Sequence, residues 1–125
     1  MDTVALRDFF NTQIGTKTCL GTIDCVSFVT EAVKVGWNRD HSGILQYHDR
    51  RSAVKRLREL GGLKAACFYA MGDMYFVKDL QPGDVIWYDK PFPTLGLLMP
   101  GYVAVRQGKV INRHEITDDL MGWRT

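Results

Sequence analysis

The chain has 125 residues, 46% of them hydrophobic and 24% charged, with a formal net charge of +2. That is the length of one domain and the composition of an ordinary globular protein, without low-complexity tracts or internal repeats. The small net charge gives no general affinity for nucleic acid, no apolar run approaches the ~18 residues of a membrane span, and Asp2 stands where a signal peptide would be basic. The expectation is a protein that works where it is made, or is carried elsewhere within an assembly. Cys19, Cys25 and Cys67 are an odd number without an export signal, so reduced thiols are expected. There is no CxxC pair, and His41, His48 and His114 lie far apart, so neither a metal site nor a cofactor is expected.

Residues from Asp2 or Thr3 to about Ile14 read as a first helix, with a rough apolar stripe of Val4, Leu6, Phe9, Phe10 and Ile14 closed by Gly15. The polar run from Thr16 to Thr22 reads as a loop or short extended segment, with Cys19 an ordinary loop or core thiol. A second helix follows, with Asp24 as its N-cap and Cys25, Phe28, Val29, Ala32 and Val33 on one face. Gly36 stands where that helix would stop. This places Cys25 in the first turn, on the inward face. A thiol there sees the positive end of the helix dipole, which favours thiolate. The plainer reading is a buried core side chain. A nucleophile also needs a base and an orienting group, so position alone does not decide.

Turn-forming residues run from Trp37 to Gly43, and Ile44 and Leu45 begin a short turn ending near Tyr47 and His48. A helix from about Arg50 to Leu60 points Ala53, Val54, Leu57 and Leu60 inward and ends at Gly61-Gly62. Its outer face carries Arg50, Arg51, Lys55, Arg56 and Arg58. From Trp37 to Lys64 there are seven basic and three acidic residues, a local +4. No aromatic interleaving or binding motif accompanies that charge, so a solvated face is favoured over a nucleic-acid contact. Docking to an acidic protein surface in a larger assembly is a third reading.

Leu63 to Ala70 reads as a shorter helix ended by Gly72, with Cys67 packed on its apolar side. The pattern then changes to strands. A Pro82-Gly83 turn leads into a strand from Val85 to Tyr88; Thr94–Leu98, Tyr102–Arg106 and Lys109–Arg113 follow, joined by short turns. Helices first and a β-meander afterwards are the order of an α+β domain, here a single one over residues 1–125.

Two segments carry a resemblance to the NlpC-type cysteine hydrolases, a compact branch of the papain-like fold. Asp24-Cys25-Val26-Ser27-Phe28-Val29 resembles that family's nucleophile segment, and Leu80-Gln81-Pro82-Gly83-Asp84-Val85-Ile86 resembles the start of its first core strand. The chain from about Leu20 onward is also similar to a group of small phage-encoded proteins of unassigned function. The shared features are the Asp-Cys helix, a turn from Gly36 to Asp40, and a Tyr followed by a basic helix ending in Gly-Gly. A Leu95-Gly96-Leu97 strand and the ending Gly122-Trp123-Arg124 complete the set. The resemblance implies that the Cys25 helix packs against an antiparallel sheet.

In active members of the hydrolase family a histidine opens the second core strand and a polar residue on the next strand orients it. Aligning on Gly96 puts Thr94 at the histidine position and Ala104 at the orienting one. Aligning on Gly108-Lys109 puts Tyr102 and Asn112 there. Neither alignment supplies an imidazole, and neither threonine nor tyrosine is a competent base at neutral pH. His114, two residues beyond Asn112 and on the same strand face, is the nearest substitute base, with Asn112 as orienter; His48 is another. Asp24 also disfavours a thiolate next to it. The expectation is therefore a virion structural component of a bacteriophage, at the tail or the head–tail connection, on a degenerate and inactive hydrolase fold. Its partners would be other virion proteins in a symmetric assembly, after synthesis in the host bacterial cytoplasm. The alternative is a cysteine peptidase or amidase that uses Cys25 to cut cell-wall peptidoglycan.

Overall fold

The computed structural model of the protein describes residues 1–13, 21–40, 50–89, 93–107 and 110–125, and the side chains of all of these except residues 21–24, 50 and 53. Among the described residues, helices α1 (Thr3–Gln13), α2 (Gly21–Trp37), α3 (Arg50–Leu60) and α4 (Leu63–Met71) precede six strands. The strands are β1 (Tyr75–Phe76), β2 (Val85–Tyr88), β3 (Thr94–Met99), β4 (Tyr102–Gln107), β5 (Val110–His114) and β6 (Met121–Trp123). They form one antiparallel sheet in the order β1-β6-β2-β3-β4-β5. The expected α+β class is present. The expected meander is β2 to β5, but the strand closing the sheet comes from the far end of the sequence: β6 inserts between β1 and β2. Two-residue and three-residue strands are too short to show alternation, which is why neither β1 nor β6 stands out in the sequence.

α1 and α2 pack as an antiparallel pair. Asp2 caps α1, its Oδ1 accepting from Ala5 N–H at 3.0 Å, while Asp2 N–H donates to Gly36 O at 2.7 Å. Phe9 and Phe10 lie against Phe28, with ring centroids 5.9 and 5.6 Å apart. Two expectations about α2 need correction. The helix begins at Gly21, so Asp24 lies inside it and Cys25 is its fifth residue, past the first turn. Gly36 does not end it. The helix continues to Trp37, and Asn38 takes the left-handed turn at φ 54°. Gly36 serves packing instead: a Cβ there would stand 2.8 Å from Leu6, so its absence lets α1 close on α2.

The basic helix occupies the expected span, and Gly61 and Gly62 follow it with φ of 89° and 108°. Among the described side chains its inward face is thinner than expected. Val54 is exposed, and contact with the core comes through half-buried Leu57. α4 is better seated, with Leu63, Ala66 and Cys67 buried.

The sheet has two unlike faces. Residues with α2 on one side (Val85, Trp87, Leu95, Leu97, Met99, Ala104 and Trp123) join Cys25, Phe28 and Val29 in the main core. On the other side Ile86, Leu98, Val103 and Val105 form a smaller cluster with Val77 and Leu80, against half-buried Tyr88, Ile116 and Leu120. Ile14, Gly15, Cys19, His41, His48, Lys109 and the turn at 44–48 lie outside the described residues.

Candidate functional site

Cys25 sits where α2 crosses β3. Strand β3 is buried along its whole length, because α2 covers one face of it and the smaller cluster the other. The Cys25 side chain is 0% exposed. Its Sγ accepts the backbone N–H of Leu95 at 3.3 Å. Cys67, from α4, belongs to the same core cluster. Burial pushes the Cys67 thiol up from 9.0 to about 12, and the neighbouring Cys25 adds to the effect. A thiol in that setting stays protonated at neutral pH and packs as a small apolar group.

The sheet separates His114 and Asn112 from Cys25. In an antiparallel pair, directly opposed residues share a face. His114 opposes Val103 and Asn112 opposes Val105, and both valines belong to the cluster on the far side of the sheet. The His114 ring packs against Tyr88 with centroids 5.3 Å apart, and Asn112 Nδ2 donates to Gln107 Oε1. His114 and Asn112 do share a face, as alternation indicates, but it is the face away from Cys25. His114 is the one histidine among the described residues.

The two family alignments fare differently. Thr94 does open β3 beside Leu95, but it opposes Tyr88 and so points to the far face, while Ala104 lies on the near face and is apolar. Tyr102 is on the near face, but opposite Met99, four strand residues or ~13 Å from Leu95. Neither arrangement brings a proton acceptor to the sulfur.

Sequence reasoning missed Arg106. It is 8% exposed, and its Nη1 donates to Gln13 Oε1 at the end of α1 at 2.6 Å. Extending the β3–β4 register by two residues from the Leu97–Ala104 pair sets Arg106 beside Leu95. Alternation along Tyr102, Ala104 and Arg106 gives the face, so the inward arginine could have been read from the strand. A guanidinium at this end of the core is a donor and a fixed charge, never a base.

The Pro82-Gly83-Asp84 segment is a structural clamp. Gly83 has φ 99°, and a Cβ on it would meet the Trp37 ring at 2.7 Å. Asp84, 5% exposed, accepts from Gln81 N–H at 2.8 Å and from Thr125 N–H at 3.0 Å. Arg39 Nη1 reaches the Thr125 oxygen at 3.3 Å, which ties the turn after α2 to the same point.

On the basic helix, Lys55 and Arg56 approach Glu59 at 4.0 and 3.6 Å, whereas Arg51, Val54, Lys55 and Arg58 line a shallow exposed depression. The Arg50 side chain lies outside the description. Among the described residues, no helix is long and apolar enough to cross a membrane, and no three His, Cys, Asp or Glu side chains gather as a metal site would require.

Fold and site together define an α+β domain whose central helix presents a buried thiol to the first long strand of its sheet. A family model described as a domain of unknown function (DUF6950) matches residues 2–125, and the chain belongs to that family. No curated protein and no solved structure matches it.

Proposed function

We propose that this protein is a non-catalytic structural component of a bacteriophage virion, at the tail or the head–tail connection, built on an NlpC-type fold whose nucleophile position has become part of the core. The observation that carries the reading is the state of Cys25. Its side chain is 0% exposed, its sulfur is taken up by the Leu95 amide, and His114 and Asn112 stand on the other side of the sheet. A substrate carbonyl must come within ~3–3.5 Å of a nucleophile, and a closed core leaves no room for one. The helix order and the Asp24-Cys25 and Pro82-Gly83-Asp84 segments support the papain-like ancestry, and the resemblance to small phage proteins supports the virion. The face of Arg51, Lys55 and Arg58, with exposed Val54 between them, suits the acidic surface of a neighbouring subunit.

The test uses phage carrying Cys25→Ala or Cys25→Ser. Alanine removes the acceptor of the Leu95 N–H and leaves a small void, a loss of about 2 kcal/mol in stability. Serine keeps an acceptor but cannot replace a catalytic thiol. Both should give infectious particles at a temperature where the purified variants remain folded, and the wild-type protein should release no dye from labelled peptidoglycan. Dye release by the wild type that both substitutions abolish would establish the cysteine hydrolase instead.

A further inference from the structure

We propose that the cleft between α1 and the near face of β4 and β5 binds a segment of a partner protein in which an apolar side chain stands next to a carboxylate. The cleft has a volume of about 320 Å³, at the low end of the range for ligand sites. It has room for one or two side chains and none for a helix. Leu6, Phe10, Met99 and Ile111 form its apolar lining. Leu6 is 2% exposed and is backed by Gly36 of α2, so that part of the cleft is held by the core. An apolar surface of this kind gains from taking an apolar side chain out of water.

The charged side chains that line the cleft are of one sign among the described residues. They are Arg7 and Arg113, with no Asp or Glu in that described lining. Arg113 is held in place, its guanidinium lying 4.6 Å from the centroid of the Tyr102 ring. Stacking of that kind occupies the flat face of a guanidinium and leaves its N–H edge for an acceptor in plane, the geometry a carboxylate fits with two bonds. Arg7 has a carboxylate neighbour, Asp8, at 3.8 Å, but both side chains are about 70% solvated, so the contact is weak and exchangeable. An apolar anchor beside a carboxylate therefore matches both the lining and the charge. The cleft is formed by α1 and the sheet, apart from the basic face of α3, and its occupancy does not depend on whether the chain belongs to a virion.

Titration of isotope-labelled protein with acetylated, amidated tetrapeptides tests this, using Phe or Leu next to Asp or Glu and matched Asn or Gln peptides. The acidic peptides should give saturable NMR shifts at Phe10, Tyr102 and Ile111, and the amide analogues should bind about fivefold more weakly. The double variant R7E/R113E should lose about tenfold in affinity while keeping the circular-dichroism spectrum of the folded protein, since both side chains are exposed. Three results would overturn the proposal: no shifts up to about 10 mM of any peptide, equal binding of acidic and amide peptides, or binding that R7E/R113E leaves intact. Phenylacetate binding as tightly as the Phe-Asp peptide would overturn it as well, because the occupant would then be a small carboxylic acid and not a protein segment.

Discussion

Cys67 and Tyr88 show how burial sets the chemistry of single residues in this protein. Cys67 is pushed up to about 12 by burial and then by Cys25, and Tyr88 is pushed up to about 12 by burial and then by the Asp119 carboxylate. Both groups stay neutral in the fold at a pH where they ionise in the unfolded chain. Their contribution to stability is complete below the unfolded values of 9.0 and 10.0 and is lost as pH rises toward 12. The urea midpoint should therefore fall steadily from pH 8.5 to about 11. Cys67→Ala should flatten the first part of that decline and Tyr88→Phe the later part; a midpoint constant over the range would show both groups to be accessible. Tyr88→Phe should cost little at neutral pH, since the hydroxyl is buried without a hydrogen-bond partner among the described residues. The presence of the thiols is plain in the sequence, but burial, which decides what Cys25 and Cys67 do, is not a property of a residue type.

At the scale of elements, the segments that suggest a hydrolase have structural work to do. Cys25 faces inward on α2, as the 3.6-residue period requires, and its sulfur satisfies the Leu95 amide. Gly83 and Asp84 fix the entry to β2. The ending Gly122-Trp123-Arg124, the last two residues of β6 and the one after them, has three separate roles. Trp123 is 0% exposed and meets Trp87 edge to face at 6.0 Å, while the Arg124 guanidinium lies 4.0 Å from the Tyr75 ring centroid. Gly122 sits between Tyr75 and Ile86, and a Cβ there would run into the Val85 carbonyl oxygen. Because that obstacle is backbone, Gly122→Ala should destabilise the protein by about 3 kcal/mol, measured by chemical denaturation. A loss below about 1 kcal/mol would mean that β6 is not held in the middle of the sheet.

For the whole molecule, the sheet acts as a partition. One face, under α1 and α2, carries Cys25, Cys67, Arg106 and the cleft; the other carries His114, Asn112 and Tyr88. Because β6 fills the gap between β1 and β2, the sheet depends on residues from opposite ends of the strand region. Removing residues 121–125 would strip β2 of one of its two neighbours, expose Trp87 and release the clamp at Asp84. The truncated chain should show no cooperative thermal transition by circular dichroism. A normal melt would place the stability of the fold elsewhere.

The amino-acid sequence by itself determined the kinds of element and their order. Helical and two-residue periods, with Gly61, Gly62, Gly72 and Gly83 between them, are local signals, and α1, α3, α4 and β2 to β5 fall within a residue or two of their expected spans. It also determined that His114 and Asn112 share a face, and that Tyr102, Ala104 and Arg106 share one. Only the tertiary structure decided which of those faces α2 covers, and hence that thiol and imidazole stand on opposite sides of the sheet. Alternation within a strand fixes the relative orientation of its side chains. Which side meets a given helix depends on pairing between residues far apart in the chain, as when Met121–Trp123 pairs with Val85 and Ile86, and no local pattern encodes that choice.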